Sequence, residues 1–229
     1  MSLKLLQYNK ISKELVDSVS DSFNRLPKTT HKDGEYRLRR YSVVEIHSTF
    51  WNAKNEPVLT RLEHRDFIQG EDLNKHQGGM VRSFEEIEEE TIQSEGFHEI
   101  CFTFKNANNL IDGQEIEIHQ MRVVPLTRDS FTPRNEKWSN TTPVSPEGTH
   151  QDGFDHIAMV GINRQNIAGG GLMVFVDKES KMPILDKELQ AGEMMMLDDR
   201  ELWHNARDVW AINERDPSFA DWFILCAKK

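Results

Sequence analysis

The chain has 229 residues, of which 29% are charged and 37% hydrophobic, long enough to bury the core of one domain. Its formal net charge of −10 argues against nucleic-acid or anionic-membrane binding, which needs a basic footprint, and leaves room for a local basic pocket. No apolar run approaches a membrane span and no positive-plus-apolar leader is visible. The two cysteines, Cys101 and Cys226, sit in apolar strand-like runs and are expected to be reduced and buried, so the expected location is cytoplasmic.

Taken in chain order, residues 11–26 place Ile11, Leu15, Val16, Val19 and Phe23 at helical spacing, which predicts a helix against the rest of the fold. Residues 37–47 read as a strand. Residues 83–93 are acidic and predict a helix, with Ser83 as N-cap and Glu86 three positions on. The run 115–124 predicts a strand. Residues 127–146 are rich in Pro, Ser, Thr and Asn and predict a long loop of the kind that serves as a lid or binding loop. Apolar strands follow at 156–162, 172–176 and 194–197, with Gly169, Gly170, Gly171 and Gly192 at the turns between them. No linker or repeat divides the chain. The expectation is one mainly β domain over 1–229, with residues 1–30 a helical segment packed on it.

His150 and Asp152 form a His-x-Asp pair at the head of this strand cadence, and His204 follows at its end. In an extended strand residues i and i+2 share a face, so the pair reaches one metal ion and His204 joins from a second strand. Two imidazoles and one carboxylate, with open positions left over, make the facial triad of non-heme Fe(II) oxygenases.

Several segments in order resemble the bacterial 2-oxoglutarate/Fe(II) dioxygenases that hydroxylate free L-amino acids, the isoleucine dioxygenase type. They are DGEYRLRRYS at 33–42, FIQGEDLNKHQGGMVRSFEEI at 67–87, IHQMRV at 118–123, the span 148–171 around the metal motif, and 192–204 around the second histidine. The resemblance implies a double-stranded β-helix (jelly-roll, cupin-like) core with flanking helices. It also implies Fe(II), 2-oxoglutarate and O₂, and oxidative decarboxylation of the keto acid coupled to hydroxylation of a free aliphatic L-amino acid or close derivative. A homodimer through the N-terminal helix fits such a barrel.

One departure stands out. The family places an arginine on its last core strand to pair with the distal carboxylate of 2-oxoglutarate, and here that position is Ala220. An alanine makes no charge-assisted hydrogen bond. Arg215, Arg207 and Arg122 are candidates to replace it. Strand alternation groups Ile118, Gln120 and Arg122 on one face and Glu117, His119 and Met121 on the other. Gln120 and Arg122 are expected to face the interior as cosubstrate-binding groups. Arg82 is a candidate for the substrate carboxylate, and Trp203 for shielding the metal. Asp198 or Asp199 is placed to hold a ligand imidazole through its free N–H. The missing arginine also keeps two alternatives in view: an Fe(II)/O₂ oxidase that needs no 2-oxoglutarate, and a barrel enzyme with another divalent metal and no oxygen chemistry.

Overall fold

The computed structural model of the chain describes residues 5–51, 57–74, 76–126 and 141–228; most of the expected loop at 127–146 therefore lies outside the described residues. A strand, β1 (Leu6–Lys10), opens the fold, followed by α1 (Lys13–Ser20) and a short 3-10 turn (Asp21–Arg25). The Ser12 hydroxyl caps α1 by accepting the Leu15 N–H, and Val16 and Val19 turn inward. The single helix expected over 11–26 is thus divided. Ser20 and Ser22 hydroxyls donate back to the carbonyls of Val16 and Val19 at 2.9 and 2.6 Å, a competition with the helical ladder that favours its end.

The acidic segment differs more. Only α2 (Glu89–Ile92) is helical. Residues 83–88 run extended along β2 (Arg37–Trp51), where Tyr41 N–H donates to the Glu85 carbonyl and Ile87 N–H to the Ser42 hydroxyl. Arg25, Arg40 and Arg61 pair with Glu88, Glu85 and Glu86, and Ile87 is fully buried, so tertiary contacts override the local capping signal. The longest helix, α3 (Glu95–Asn108), was not read from the sequence, although Ser94 caps it and Phe97, Ile100, Cys101 and Phe104 give it a buried stripe. Gly96 lets it cross α1 closely: a Cβ there would stand 1.9 Å from the Leu15 carbonyl oxygen.

The remaining strands are β3 (Pro57–Arg61), β4 (Glu115–Val123), β5 (His156–Gln165), β6 (Ile167–Gly169), β7 (Leu172–Phe175), β8 (Leu185–Lys187), β9 (Glu193–Asp198), β10 (Trp203–Ala206), β11 (Val209–Ala211) and β12 (Phe219–Ala227). With β1 and β2, five of them form one seven-stranded sheet in the order β1-β9-β5-β12-β4-β2-β3, and β10-β7-β8 and β11-β6 form two smaller ones. This is the mainly β, jelly-roll architecture expected. The large sheet is covered on both faces. Ile118, Ala158, Val160, Met196, Phe223 and Leu225 join a core with Val16, Val19, Phe97 and Phe104 of the helices. Met121, Ile157, Met159, Leu197, Trp222 and Cys226 join an inner core with Leu172 and Val174 of the small sheet. Both cysteines are buried and unbonded to each other. Among the described residues no helix is long and apolar enough to cross a membrane.

Candidate metal centre and its pocket

His150 and His204 meet across an antiparallel bridge in which each backbone N–H donates to the other's carbonyl at 2.9 Å. Directly opposed residues bring their side chains together, and the two ring centroids lie 4.3 Å apart. The Asp152 carboxylate closes the triangle, with Oδ1 3.4 Å from His150 Nε2 and Oδ2 3.5 Å from His204 Nε2. One ligand atom from each of the three residues lies within 4.8 Å of the other two. Neighbouring ligands on one ion, at bonds of about 2.0–2.2 Å, stand roughly 3 Å apart, so the donor set and its spacing fit a metal ion.

The supports of the triad fix which atoms face the ion. His150 Nδ1 lies 2.8 Å from the Gly148 carbonyl, which keeps the proton on Nδ1 and leaves Nε2 as donor. His204 Nδ1 faces Asp199 Oδ1 at 3.4 Å, an ionic contact longer than a well-formed hydrogen bond. The other Asp199 oxygen accepts the backbone N–H groups of Asp152, Gly153 and Phe154 at 2.9, 2.9 and 3.2 Å. One carboxylate therefore holds both the second histidine and the turn that presents Asp152. That turn needs Gly153, whose φ is +82°.

A third support comes from far back in the chain. The Gln69 amide donates to Asp152 Oδ1 at 2.9 Å, and its own oxygen accepts from Asn74 and Arg82 at 2.9 and 2.7 Å. Asn74 in turn accepts the N–H groups of His76 and Gln77, the side-chain turn expected of Asn. Burial works to raise the Asp152 carboxyl, and hydrogen bonds and charge from His150 and His204 overcome it, holding the group well below the usual carboxylate range. Burial disfavours a charge on His204, yet Asp152 and Asp199 lift its pKa to about 10. The field at the triad thus favours positive charge, which a bound divalent ion supplies.

The triad opens on a cavity of about 100 Å³ with two kinds of wall. One is apolar, with Met121, Ile157, Met159, Leu172, Leu197 and Ile224. The other carries Arg37, Arg39, Arg82, Gln69, Gln77 and Glu147. Arg37 and Arg39 share Asp33, at 2.7 and 3.2 Å, and the two guanidiniums hold that carboxyl down at about 2 against the effect of burial. Burial and the neighbouring Arg37 bring Arg39 down to about 9. Arg82 lies over the Phe67 ring, 4.6 Å from its centroid. The buried Nε of each of these three arginines has no hydrogen-bond partner among the described residues.

The other expected site residues divide. Arg82 lines the pocket. Gln120 and Arg122 do not: Gln120 donates to Ser22 at 2.7 Å beneath the helical segment, and Arg122 forms a two-pronged pair with Asp221 at 2.6 and 2.8 Å. The opposite set, His119 and Met121, faces the cavity. His119 packs against Tyr41 and Phe67 with ring centroids 4.9 and 4.6 Å away; burial, aided by Arg39 and Arg82, keeps it neutral, well below the usual imidazole value. Trp203 precedes His204 on β10, so alternation turns it away from the metal, and Lys178 lies 5.1 Å from its ring centroid. Arg215 is exposed in the turn between β11 and β12, and Arg207 pairs at the surface with Asp186. Neither replaces the missing arginine. Ala220 is fully buried within the inner core. Of the aspartate pair, Asp199 holds the histidine, whereas Asp198 pairs with Arg200. Gln69, Arg39 and Glu147 were not singled out from the sequence. The recurrence of Arg37 and Arg39 at i, i+2, four and six residues after Asp33, was the available signal for one of them.

A jelly roll with two histidines and a carboxylate at its mouth defines a class of mononuclear metal enzyme. The model of the family described as 2OG-Fe dioxygenase matches residues 20–226, and the chain belongs to that family, whose chemistry uses Fe(II), 2-oxoglutarate and O₂. Among solved structures, a homologue of BsmA from Methylobium petroleophilum PM1 superposes with a TM-score of 0.74 at 23% identity, over 94% of this chain and 81% of its own. IDO from Bacillus thuringiensis gives 0.68 at 17% identity, over 97% and 90%. The Fe(II)/α-ketoglutarate-dependent dioxygenase TqaL gives 0.66 at 12%, over 99% and 83%. These likenesses establish the shared fold. Comparison with curated protein sequences gives no match.

Proposed function

We propose that this dioxygenase oxidises a C–H bond of a free aliphatic L-amino acid or a close derivative, with His150, Asp152 and His204 as the iron ligands. The observation that carries this reading is the set of three guanidiniums, buried Arg39 and Arg82 and largely covered Arg37, each with a buried Nε unpartnered among the described residues, in a small cavity that is otherwise largely lined by apolar side chains. In a protein of net charge −10 such a cluster is a receptor for carboxylates, and arginine is suited to it by its fork of donors. A cavity of about 100 Å³ suits a small molecule, and the walls suit a carboxylate at one end and a hydrocarbon side chain at the other.

Bound Fe(II), with 2-oxoglutarate and O₂, supplies the oxidant for C–H attack. The chain's own residues do the rest. Gly148 and Asp199 orient the two imidazoles so that Nε2 faces the ion. Gln69 holds Asp152 by Oδ1, which fixes the orientation of the carboxylate that would hold the iron. The arginines anchor the carboxylates of cosubstrate and substrate; among the described lining residues they are the cations available, since Ala220 contributes none. Met121, Met159, Leu172 and Ile224 exclude water from the aliphatic carbon that reacts. The test is succinate formation and O₂ uptake by the Fe(II)-loaded protein with 2-oxoglutarate and a panel of L-amino acids. Succinate that rises with one aliphatic amino acid, together with a hydroxylated product, is the expected result. Succinate that never rises above the uncoupled rate with any free amino acid would overturn the substrate assignment.

A further inference from the structure

Glu147 lies in the loop that leads into the metal strand, three residues before His150. Its side chain is 9% exposed, Oε1 stands 3.4 Å from His150 Nε2, and Oε2 is buried with no hydrogen-bond partner among the described residues. The carboxylate lines the same cavity as Arg37, Arg39 and Arg82, yet no ion pair joins it to any of them; Arg37 and Arg39 pair with Asp33 and Arg82 bonds to Gln69. A buried carboxylate with an open oxygen is costly unless a cation or donor arrives to meet it.

The charge inventory says what kind of ligand that is. Around the cavity and the metal centre three guanidiniums, Arg37, Arg39 and Arg82, stand among four carboxylates, Asp33, Asp152, Asp199 and Glu147, and His119 is neutral. A divalent metal ion adds two positive charges, and a keto diacid such as 2-oxoglutarate removes them. The remaining ligand then enters a site where guanidiniums and the open Glu147 oxygen share one wall, so that both signs of charge are offered to it together. A zwitterion suits such a site better than a simple carboxylic acid or a simple amine.

We propose that Glu147 is the specificity-determining residue that receives the α-ammonium of the substrate, with the Arg39 and Arg82 side of the cavity receiving its carboxylate. This rests on the amino-acid reading above and specifies which residue enforces it. The test is calorimetric binding, without O₂, to the protein loaded with Fe(II) and 2-oxoglutarate. The probes are L-valine, L-leucine and L-isoleucine, together with the corresponding carboxylic acids that lack the amino group. Wild type is expected to bind at least one amino acid and to favour it over its des-amino partner. The isosteric Glu147→Gln variant, checked for unchanged melting and iron content, is expected to weaken amino-acid binding roughly 10- to 100-fold while leaving the des-amino acid little changed. Wild-type binding that E147Q leaves intact, with the same preference, would refute the role of Glu147 and spare the amino-acid reading. Loss of iron from E147Q, with normal amino-acid affinity restored at saturating Fe(II), would also refute it and assign Glu147 to the metal. Wild-type protein that binds no member of the panel would remove the amino-acid reading itself, and the proposal with it.

Discussion

Asp199 ties two parts of the metal centre together, and two substitutions separate its two jobs. One of its oxygens accepts three backbone N–H groups from the turn at Asp152; the other faces His204 Nδ1. In Asp199→Asn the amide oxygen can still accept the three N–H groups, but the NH₂ then points at His204. The ring must give up its Nδ1 proton and carry it on Nε2, the atom that faces the metal. Rotating the amide only moves the clash of donors to the backbone. Loss of such a support typically weakens metal binding 10- to 100-fold, about 1.4–2.7 kcal/mol, and the metal-free fold should be little affected. Asp199→Ala also strands the three N–H groups. At about 1.5–3 kcal/mol for each bond to a charged acceptor, the loss is roughly 4.5–9 kcal/mol, a large part of the ~5–15 kcal/mol available to a domain. Metal titration calorimetry and urea denaturation of the metal-free variants measure the two effects. Wild-type metal affinity in D199N, or equal urea midpoints for D199N and D199A, would refute this division of labour.

Asp33 gives the pH prediction. Its pKa falls from 3.8 to about 2 in the fold, so the stabilisation, about 2 kcal/mol, is complete above the unfolded value and lost as pH falls through the folded one. Asp33→Asn should therefore cost most near neutrality, roughly 3–5 kcal/mol because two buried guanidiniums lose their partner. The gap from wild type in urea midpoint should shrink toward pH 2; a constant gap would count against the assignment. His150→Ala and Asp152→Ala should fold, fail to hold iron and lose turnover, and full activity in either would sink the triad. Ala220→Arg should destabilise the fully packed inner core by about 1–3 kcal/mol or more without improving the KM for 2-oxoglutarate; a tenfold lower KM would show that position 220 still borders the cosubstrate site.

The metal ligands were legible because their residue types and spacing are dictated by the ion, and the glycines around them by the turns. The face of β4 was not. Alternation divides a strand into two sets but does not say which set faces the cavity when both faces of the sheet are buried, as Ile118 and Met121 both are. The polarity of Gln120 and Arg122 suggested a ligand, whereas Ser22 and Asp221 satisfy them from the 3-10 turn and from β12. Gln69 and Glu147 were hidden for a different reason: the metal-centre partner of Gln69, Asp152, is 83 residues away, and that of Glu147 is a ligand, so no local pattern marks either role.

The arginines around the cavity show why burial is the better guide once a structure is at hand. The chain keeps most of its charge in water, where an exposed ion pair contributes little. Arg39 and Arg82 are instead 5% and 3% exposed, with an Nε unpartnered among the described residues in each. Folding alone gives no reason to hold unsatisfied guanidiniums beside a neutral histidine, and apolar residues of similar volume would fill the space at lower cost. The same is true of Glu147 on the same wall. Opposite charges buried near one another, each incompletely paired, make sense when a ligand of the complementary dipole completes both, and that ligand must bring its own carboxylate and its own ammonium.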